Sequence, residues 1–245
     1  MELRVIFDKK NKAAWNMALD EAILMHLEEL GPTLRFYGWF PPAVSIGYFQ
    51  SMEEEIDLKK ASELGVDVVR RLTGGGAVYH KYELTYSIVL PPPPGKILDS
   101  YRIVEKGIVN GLKALGVDAE LSGINDIVVG GKKISGNAQT RRYGGMLQHG
   151  TLLMDVDVDE MFSLLKVPQE KMKDKMIKNV KERVTSLHNL GIDIEFEELQ
   201  KIMGGGFKKA LNAELYEENL PDKVLSQARK LEVEKYGSRK WNFKR

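Results

Sequence analysis

Two strand-like stretches, Ile127-Val128-Val129 and residues 132–139, are separated only by Gly130-Gly131. Two residues join strands as a tight hairpin, and a hairpin is antiparallel, so at least part of the sheet cannot be built from parallel βαβ units. The rest of the chain fits this. Strands are expected over 34–37 and 43–47 around the Pro41-Pro42 turn, over 66–71, over 84–90 before the prolines at 91–94, and over 146–154. Trp15, Ala18, Leu19, Ala22, Ile23 and Leu30 share one side of a helical wheel that Gly31-Pro32 ends. Further helices are expected over 56–64, capped by Gly65, from Asp99 to the Gly116 stop, and over 159–165. Strand runs between a few helices, without regular βαβ alternation, predict an α/β protein of the α+β type: a mixed, mainly antiparallel sheet flanked by helices. One catalytic domain over residues 1–245 is expected, largely helical from about residue 159.

Composition narrows the chemistry. A hydrophobic content of 43% supports a sizeable core. Thirty-six basic against 35 acidic residues leave a net charge of +1, so no global field draws the chain to nucleic acid or an anionic membrane. There is no cysteine, which removes disulfides, thiolate metal sites and thiol nucleophiles. The N-terminus has no charged-then-apolar signal pattern and no apolar run approaches the roughly 20 residues of a membrane span, so a cytoplasmic location is expected.

Three places carry candidate chemistry. Thr73-Gly74-Gly75-Gly76 follows Arg70-Arg71, and bare backbone N–H groups beside fixed cations suit a phosphate or carboxylate. A glycine triplet is also simply a turn, and this one is neither a Walker loop nor a dinucleotide fingerprint. Lys133 follows Asn125-Asp126, and strict alternation would place Lys133, Ser135 and Asn137 on one face, with Lys132, Ile134 and Gly136 on the other. An exposed hairpin lysine is the plainer reading. Gln148-His149-Gly150-Thr151 puts His149 and Thr151 on one face, where a lone histidine is more often structural than catalytic; His80 earns the same caution.

Together and in this order, Arg70-Arg71-Leu72-Thr73-Gly74-Gly75-Gly76-Ala77-Val78-Tyr79-His80, Asn125-Asp126, Lys133 with Ser135-Gly136, and His149-Gly150-Thr151 resemble the lipoate-protein ligase A family. Gly47-Tyr48-Phe49-Gln50 and residues 16–21 add to the match, which covers roughly residues 15–167. The resemblance implies a biotin-ligase-like, class II synthetase-like fold. It implies an enzyme that activates lipoate with ATP and Mg²⁺ to lipoyl-AMP and passes the lipoyl group to a protein lysine. On that reading Lys133 is catalytic, contacting the lipoate carboxyl and the α-phosphate. The loop Gly74, Gly75, Gly76, Ala77, Val78, Tyr79 and His80, with Arg71, Ser135, Gly136, Ala138, His149 and Thr151, holds the adenylate. Asn125 and Asp126 lie near nucleotide and magnesium, with Asp126 as metal ligand. The implied acceptors are the lipoyl domains of 2-oxoacid dehydrogenases (E2) and the glycine-cleavage H protein. The chain is too short for the C-terminal accessory domain of many such ligases, so a separate small accessory subunit is expected.

Three alternatives remain. An octanoyl or lipoyl transferase on the same fold works in such relatives through a cysteine thioester, and here only Ser135 or Thr140, with a base, could replace it. A biotin ligase would carry its glycines among the arginines rather than after them. A nucleic-acid binder is suggested by Lys166, Lys171, Lys173, Lys175, Lys178, Lys181 and Arg183, but Glu170, Asp174 and Glu182 interrupt that run, as on a solvated helix face. In relatives a lysine-rich segment before a stretch such as Val184-Thr185-Ser186 lies near the nucleotide.

Overall fold

The computed structural model describes residues 1–166 and 173–245; of the lysine-rich run, Lys171 and Glu170 lie outside them. In chain order the described strands are β1 (Glu2–Asn11), β2 (Thr33–Trp39), β3 (Ala43–Ile46), β4 (Asp67–Arg70), β5 (Val78–His80), β6 (Glu83–Leu90), β7 (Glu120–Ser122), β8 (Asp126–Val129), β9 (Lys132–Arg142), β10 (Gly145–Leu153) and β11 (Glu214–Glu217). The longer helices are α1 (Ala13–Met25), α2 (Ile97–Ala114), α3 (Val158–Leu164), α4 (Lys173–Arg183), α5 (Phe196–Leu211) and α6 (Asp222–Leu231). Eight strands form one sheet in the order β11-β1-β2-β6-β10-β9-β8-β7, and β4-β3-β5 form a second. Pairing is antiparallel from β2 to β7 and parallel at β11-β1-β2. The expected mixed, mainly antiparallel sheet flanked by helices is what the chain forms.

Gly130 and Gly131, at φ 55° and 75°, make the two-residue turn and set Val129 opposite Lys132. Helices α2 and α5 cover one face of the large sheet, where Leu34, Phe36, Tyr86, Ile88, Ile108, Leu112, Met203 and Phe207 form the main core. Removing each such side chain from water contributes about 1.5–3 kcal/mol. The two helices touch through glycines: a Cβ on Gly206 would lie 2.2 Å from the Gly107 carbonyl oxygen, and one on Gly111 2.4 Å from the Met203 sulfur. Helices α1 and α6 cover the opposite face over Val89 and Leu147.

Three local expectations change. Helix α1 ends at Met25, because His26 leaves helical geometry and a separate turn runs over Leu27–Leu30 to Gly31 at φ 70°. Strand β1 has no counterpart in the sequence reading, although Leu3, Val5 and Phe7 alternate as a half-buried strand would. The third change bears on the site. Strand β9 carries a bulge at Ile134, since Lys133 opposes Val128 while Ser135 opposes Ile127. The extra residue reverses the alternation. A Cβ on Gly136 would meet Lys133 Cε and Nζ at 2.8 Å, so Lys133 shares a face with Gly136. Ser135 and Asn137 belong to the other face, where Asn137 Oδ1 accepts from Tyr86 Oη at 2.7 Å. The expected grouping of Lys133 with Ser135 and Asn137 is therefore incorrect. Among the described residues no helix is long and apolar enough to cross a membrane.

Candidate active site

Parallel pairing of β3 with β4 and antiparallel pairing with β5 draw the chain between β4 and β5 into a loop over the end of β3. That loop is the glycine triplet. Gly75 has φ 96°, and Gly47 at the end of β3 comes so close that a Cβ there would fall 2.0 Å from the Gly75 carbonyl oxygen. Arg71 braces the loop from inside. Its Nε donates to Thr73 Oγ1 (3.2 Å), Nη1 to Ser45 O and Oγ (3.0 and 3.1 Å), and Nη2 to Gly74 O and Gly76 O (2.8 and 2.7 Å). All five guanidinium donors are thus engaged by protein, and burial lowers the group to about 10. Arg70 points the other way. It is fully buried and donates to Gly47 O, Tyr48 O, Trp241 O and Asn242 O, fastening the residues after β3 to the C-terminal segment.

Between this loop, the Lys133 face of the large sheet and α4 lies a cavity of about 350 Å³. Of the residues singled out from the sequence, Arg71, Gly75, Gly76, Ala77, Val78, Tyr79, His80, Asn125, Lys133, Ser135, Gly136, Ala138, His149 and Thr151 all border it; Gly74 and Asp126 do not. Asp126 Oδ1 instead pairs with Lys133 Nζ at 2.7 Å, both side chains partly exposed. Val180 of α4 and Val184 border the same space, and Thr185 N donates to Lys133 O at 2.8 Å. The lysine-rich helix therefore packs against the cavity through its apolar side, while Lys181 pairs outward with Asp159.

As a magnesium site the donor set is thin. Asp126 is a single carboxylate already paired with an ammonium, and among the described residues no three His, Cys, Asp or Glu side chains are grouped to hold a metal. Magnesium bound through one carboxylate needs substrate phosphates to complete its octahedron, so no step is assigned to it.

Two buried chains of polar side chains end at the cavity. In the first, His149 Nε2 lies 2.7 Å from Thr73 Oγ1 and Nδ1 lies 3.7 Å from Asp20 Oδ2; Asp20 also accepts from Arg35, Tyr37 and Ser87. Burial lowers the His149 pKa below the usual histidine value, against the opposing pull of Asp20. Burial pushes Asp20 up, but His149 and Arg35 outweigh it and hold the carboxyl below its ordinary value. In the second, Ser45 Oγ lies 2.7 Å from His80 Nε2, and His80 Nδ1 lies 2.6 Å from Glu83 Oε1. Thr85 Oγ1 donates to the same carboxylate oxygen at 2.7 Å, and Trp39 stacks on His80 with ring centroids 4.0 Å apart. Ser45, Glu83, Thr85 and Trp39 were not anticipated, and Met17 and Asp20 fall in the quoted stretch 16–21 without a role having been assigned to them. A serine between Val44 and Ile46 in a fully buried strand was the available signal, because a buried hydroxyl needs a partner.

The mixed sheet that carries this glycine loop, slot and lysine is the fold of the lipoate-protein ligases. The chain belongs to the lipoyl protein ligase A/B catalytic domain family, whose model matches residues 12–208. It is 38% identical to the octanoyltransferase LipM of Anoxybacillus flavithermus, over 95% of this chain and 94% of that one. A bi-partite lipoate protein ligase from Thermoplasma acidophilum superposes with a TM-score of 0.92 at 36% identity, covering 99% of this chain and 96% of that one. A lipoate-protein ligase A solved with ATP bound gives 0.87 at 34%, covering 99% of each.

These relatives correct the expected activity. Eight curated relatives, 35–38% identical over 94–99% of this chain, are all named octanoyltransferase, which overturns the expectation of an ATP-dependent, adenylate-forming lipoate ligase. The sequence argument failed by equating transfer with a cysteine thioester. An acyl donor that is already activated can be attacked without any thiol on the enzyme.

Proposed function

We propose that this protein is an acyltransferase that moves an octanoyl- or lipoyl-type acyl group from an activated donor, a thioester on a carrier, to a lysine of an acceptor protein. The observation that carries this reading is the 350 Å³ cavity, within the range of small-ligand sites, with Met17, Tyr37 and Trp39 on its wall and Lys133 on the same boundary. Collapse of the donor's tetrahedral intermediate requires a cation or N–H donors against its oxyanion. Lys133 supplies the cation, and Asp126 fixes its position. The glycine-loop N–H groups supply the donors, since among the described residues those of Gly75, Gly76 and Ala77 make no backbone hydrogen bond and these residues border the cavity. His149 and Thr151 complete the wall behind the acyl chain.

The acceptor is read as a lipoyl-domain protein, in keeping with the Thermoplasma relative, described together with its E2 lipoyl domain. That relative is bi-partite, so a separate small subunit is compatible with the fold, but transfer from a donor that is already activated needs none. The purified chain, an octanoyl-carrier-protein thioester and an acceptor domain test both points. Mass gain on the acceptor without nucleotide supports the reading; gain only from free acid plus Mg-ATP sinks it. Lys133→Ala is expected to slow transfer by about 10²- to 10³-fold with an unchanged melting temperature.

A further inference from the structure

The sequence offered Ser135 and Thr140 as hydroxyl stand-ins for a missing thiol. Ser135 has no base: its buried Oγ is without a hydrogen-bond partner, on the face away from Lys133. Ser45 has one. Its Oγ, His80 and Glu83 stand in series at 2.7 and 2.6 Å, within the reach that links nucleophile, base and orienting acid in hydroxyl acyl-transfer enzymes. The proton inventory is consistent. Arg71 Nη1 donates to Ser45 Oγ at 3.1 Å, leaving the hydroxyl hydrogen to point at His80 Nε2 and the His80 Nδ1 hydrogen to point at Glu83. Thr85 donates to the same Glu83 oxygen as His80 and helps fix it, and Trp39 stacked on the imidazole holds its plane. Ser45, His80 and Glu83 all border the cavity that also holds Lys133.

Resting on the transferase reading above, we propose that Ser45 is the acyl-accepting nucleophile of this chain, with His80 as its base and Glu83 as the residue that orients His80. Ser45 Oγ attacks the thioester carbonyl carbon while its proton passes to His80 Nε2. The C–S bond breaks, and the thiolate leaves with that proton. The neutral amine of the acceptor lysine then attacks the serine ester, the C–O bond breaks, and His80 takes the amine proton and returns it to Ser45. Arg71, fixed against the same oxygen, stabilises the alkoxide that leaves in this second step. No oxidant, reductant or nucleotide enters the balance.

The test uses the full chain with p-nitrophenyl octanoate, and separately with the thioester and acceptor. Wild type is expected to release one burst equivalent of p-nitrophenolate and to carry octanoyl on the peptide containing Ser45. Ser45→Ala is expected to lose both and to slow transfer more than about 10³-fold. Ser45→Cys is expected to restore an acyl-enzyme, now cleaved by neutral hydroxylamine. Glu83→Gln, with Ser45 intact, is expected to slow acylation and shift its pH profile; it carries the test if Ser45→Ala does not fold. Wild-type transfer rates in Ser45→Ala, without acyl-enzyme in wild type, overturn the proposal and leave the transferase reading standing. Acylation of Ser45 by the ester, without transfer from the thioester, removes that reading but keeps the nucleophile. No acylation and no transfer by wild type removes both.

Discussion

Arg70 and Arg71 are neighbours in sequence, and both read there as cations offered to a ligand. Strand alternation sends them to opposite sides, where each binds backbone carbonyls of its own protein. What the sequence shows is a charge; what it hides is that the charge is engaged in shaping a loop. Gly47 makes the dependence measurable. With a Cβ due 2.0 Å from a backbone oxygen, Gly47→Ala must displace the glycine loop, and we expect a fall in transfer rate of more than about 10-fold together with a lower melting temperature. Glu105 on α2 is a second residue of consequence. It is buried, its Oε1 is unpartnered, and burial raises its pKa to about 7. The folded state therefore holds this proton more tightly than the unfolded chain. Its contribution is present at low pH and is lost as pH rises from about 4.5 to about 7. Glu105→Gln should flatten the melting temperature across that window and raise it at pH 8; a profile unchanged from wild type would show that Glu105 is ionised in the fold.

At the scale of elements, most strands and helices were legible because apolar period and glycine or proline punctuation agreed. The hairpin at Gly130-Gly131 is the clearest case. The bulge at Ile134 was not legible, since one unpaired residue leaves no mark in composition yet moves Lys133 to the other face of β9. Strand β1 was not expected despite the alternation of Leu3, Val5 and Phe7, because its partners β2 and β11 come only after α1 and near residue 215, so nothing local demanded a strand there. Three successive glycines in α5, residues 204–206, are poor helix formers and are in part a packing device. Gly206 sits on the Gly107 carbonyl oxygen, whereas a Cβ on Gly205 would meet nothing within 4 Å. The pair makes an internal control. Gly206→Ala should cost at least about 1–3 kcal/mol as α2 and α5 are pushed apart. Gly205→Ala should stabilise by about 0.5–1 kcal/mol through helix propensity. Chemical denaturation of the two variants side by side would read both signs.

For the whole molecule, the candidate site was legible as a set of residues: those quoted from separate stretches nearly all meet at one cavity. The activity was less legible, because an anion-binding loop, a lysine and a greasy slot serve carboxylate activation and acyl transfer alike, and relatives of each name share the fold. Distant segments also complete the site in ways that no motif records. Asn242 Oδ1 accepts from Arg70 N, and Trp241 Nε1 donates to Arg70 O, across more than 170 residues of chain. Removing residues 239–245 should therefore lower activity and melting temperature while leaving the circular dichroism of the large sheet intact. The same contacts set a clock on biogenesis. At about 5–20 residues per second, a ribosome that has just added Arg70 needs roughly 10–30 seconds more to deliver the carbonyls that cage it. Once residues 71–76 have emerged the glycine loop can gain its inner brace, but its outer one waits for residues 241 and 242, so the order of synthesis places the fastening of this loop after the large sheet has been made.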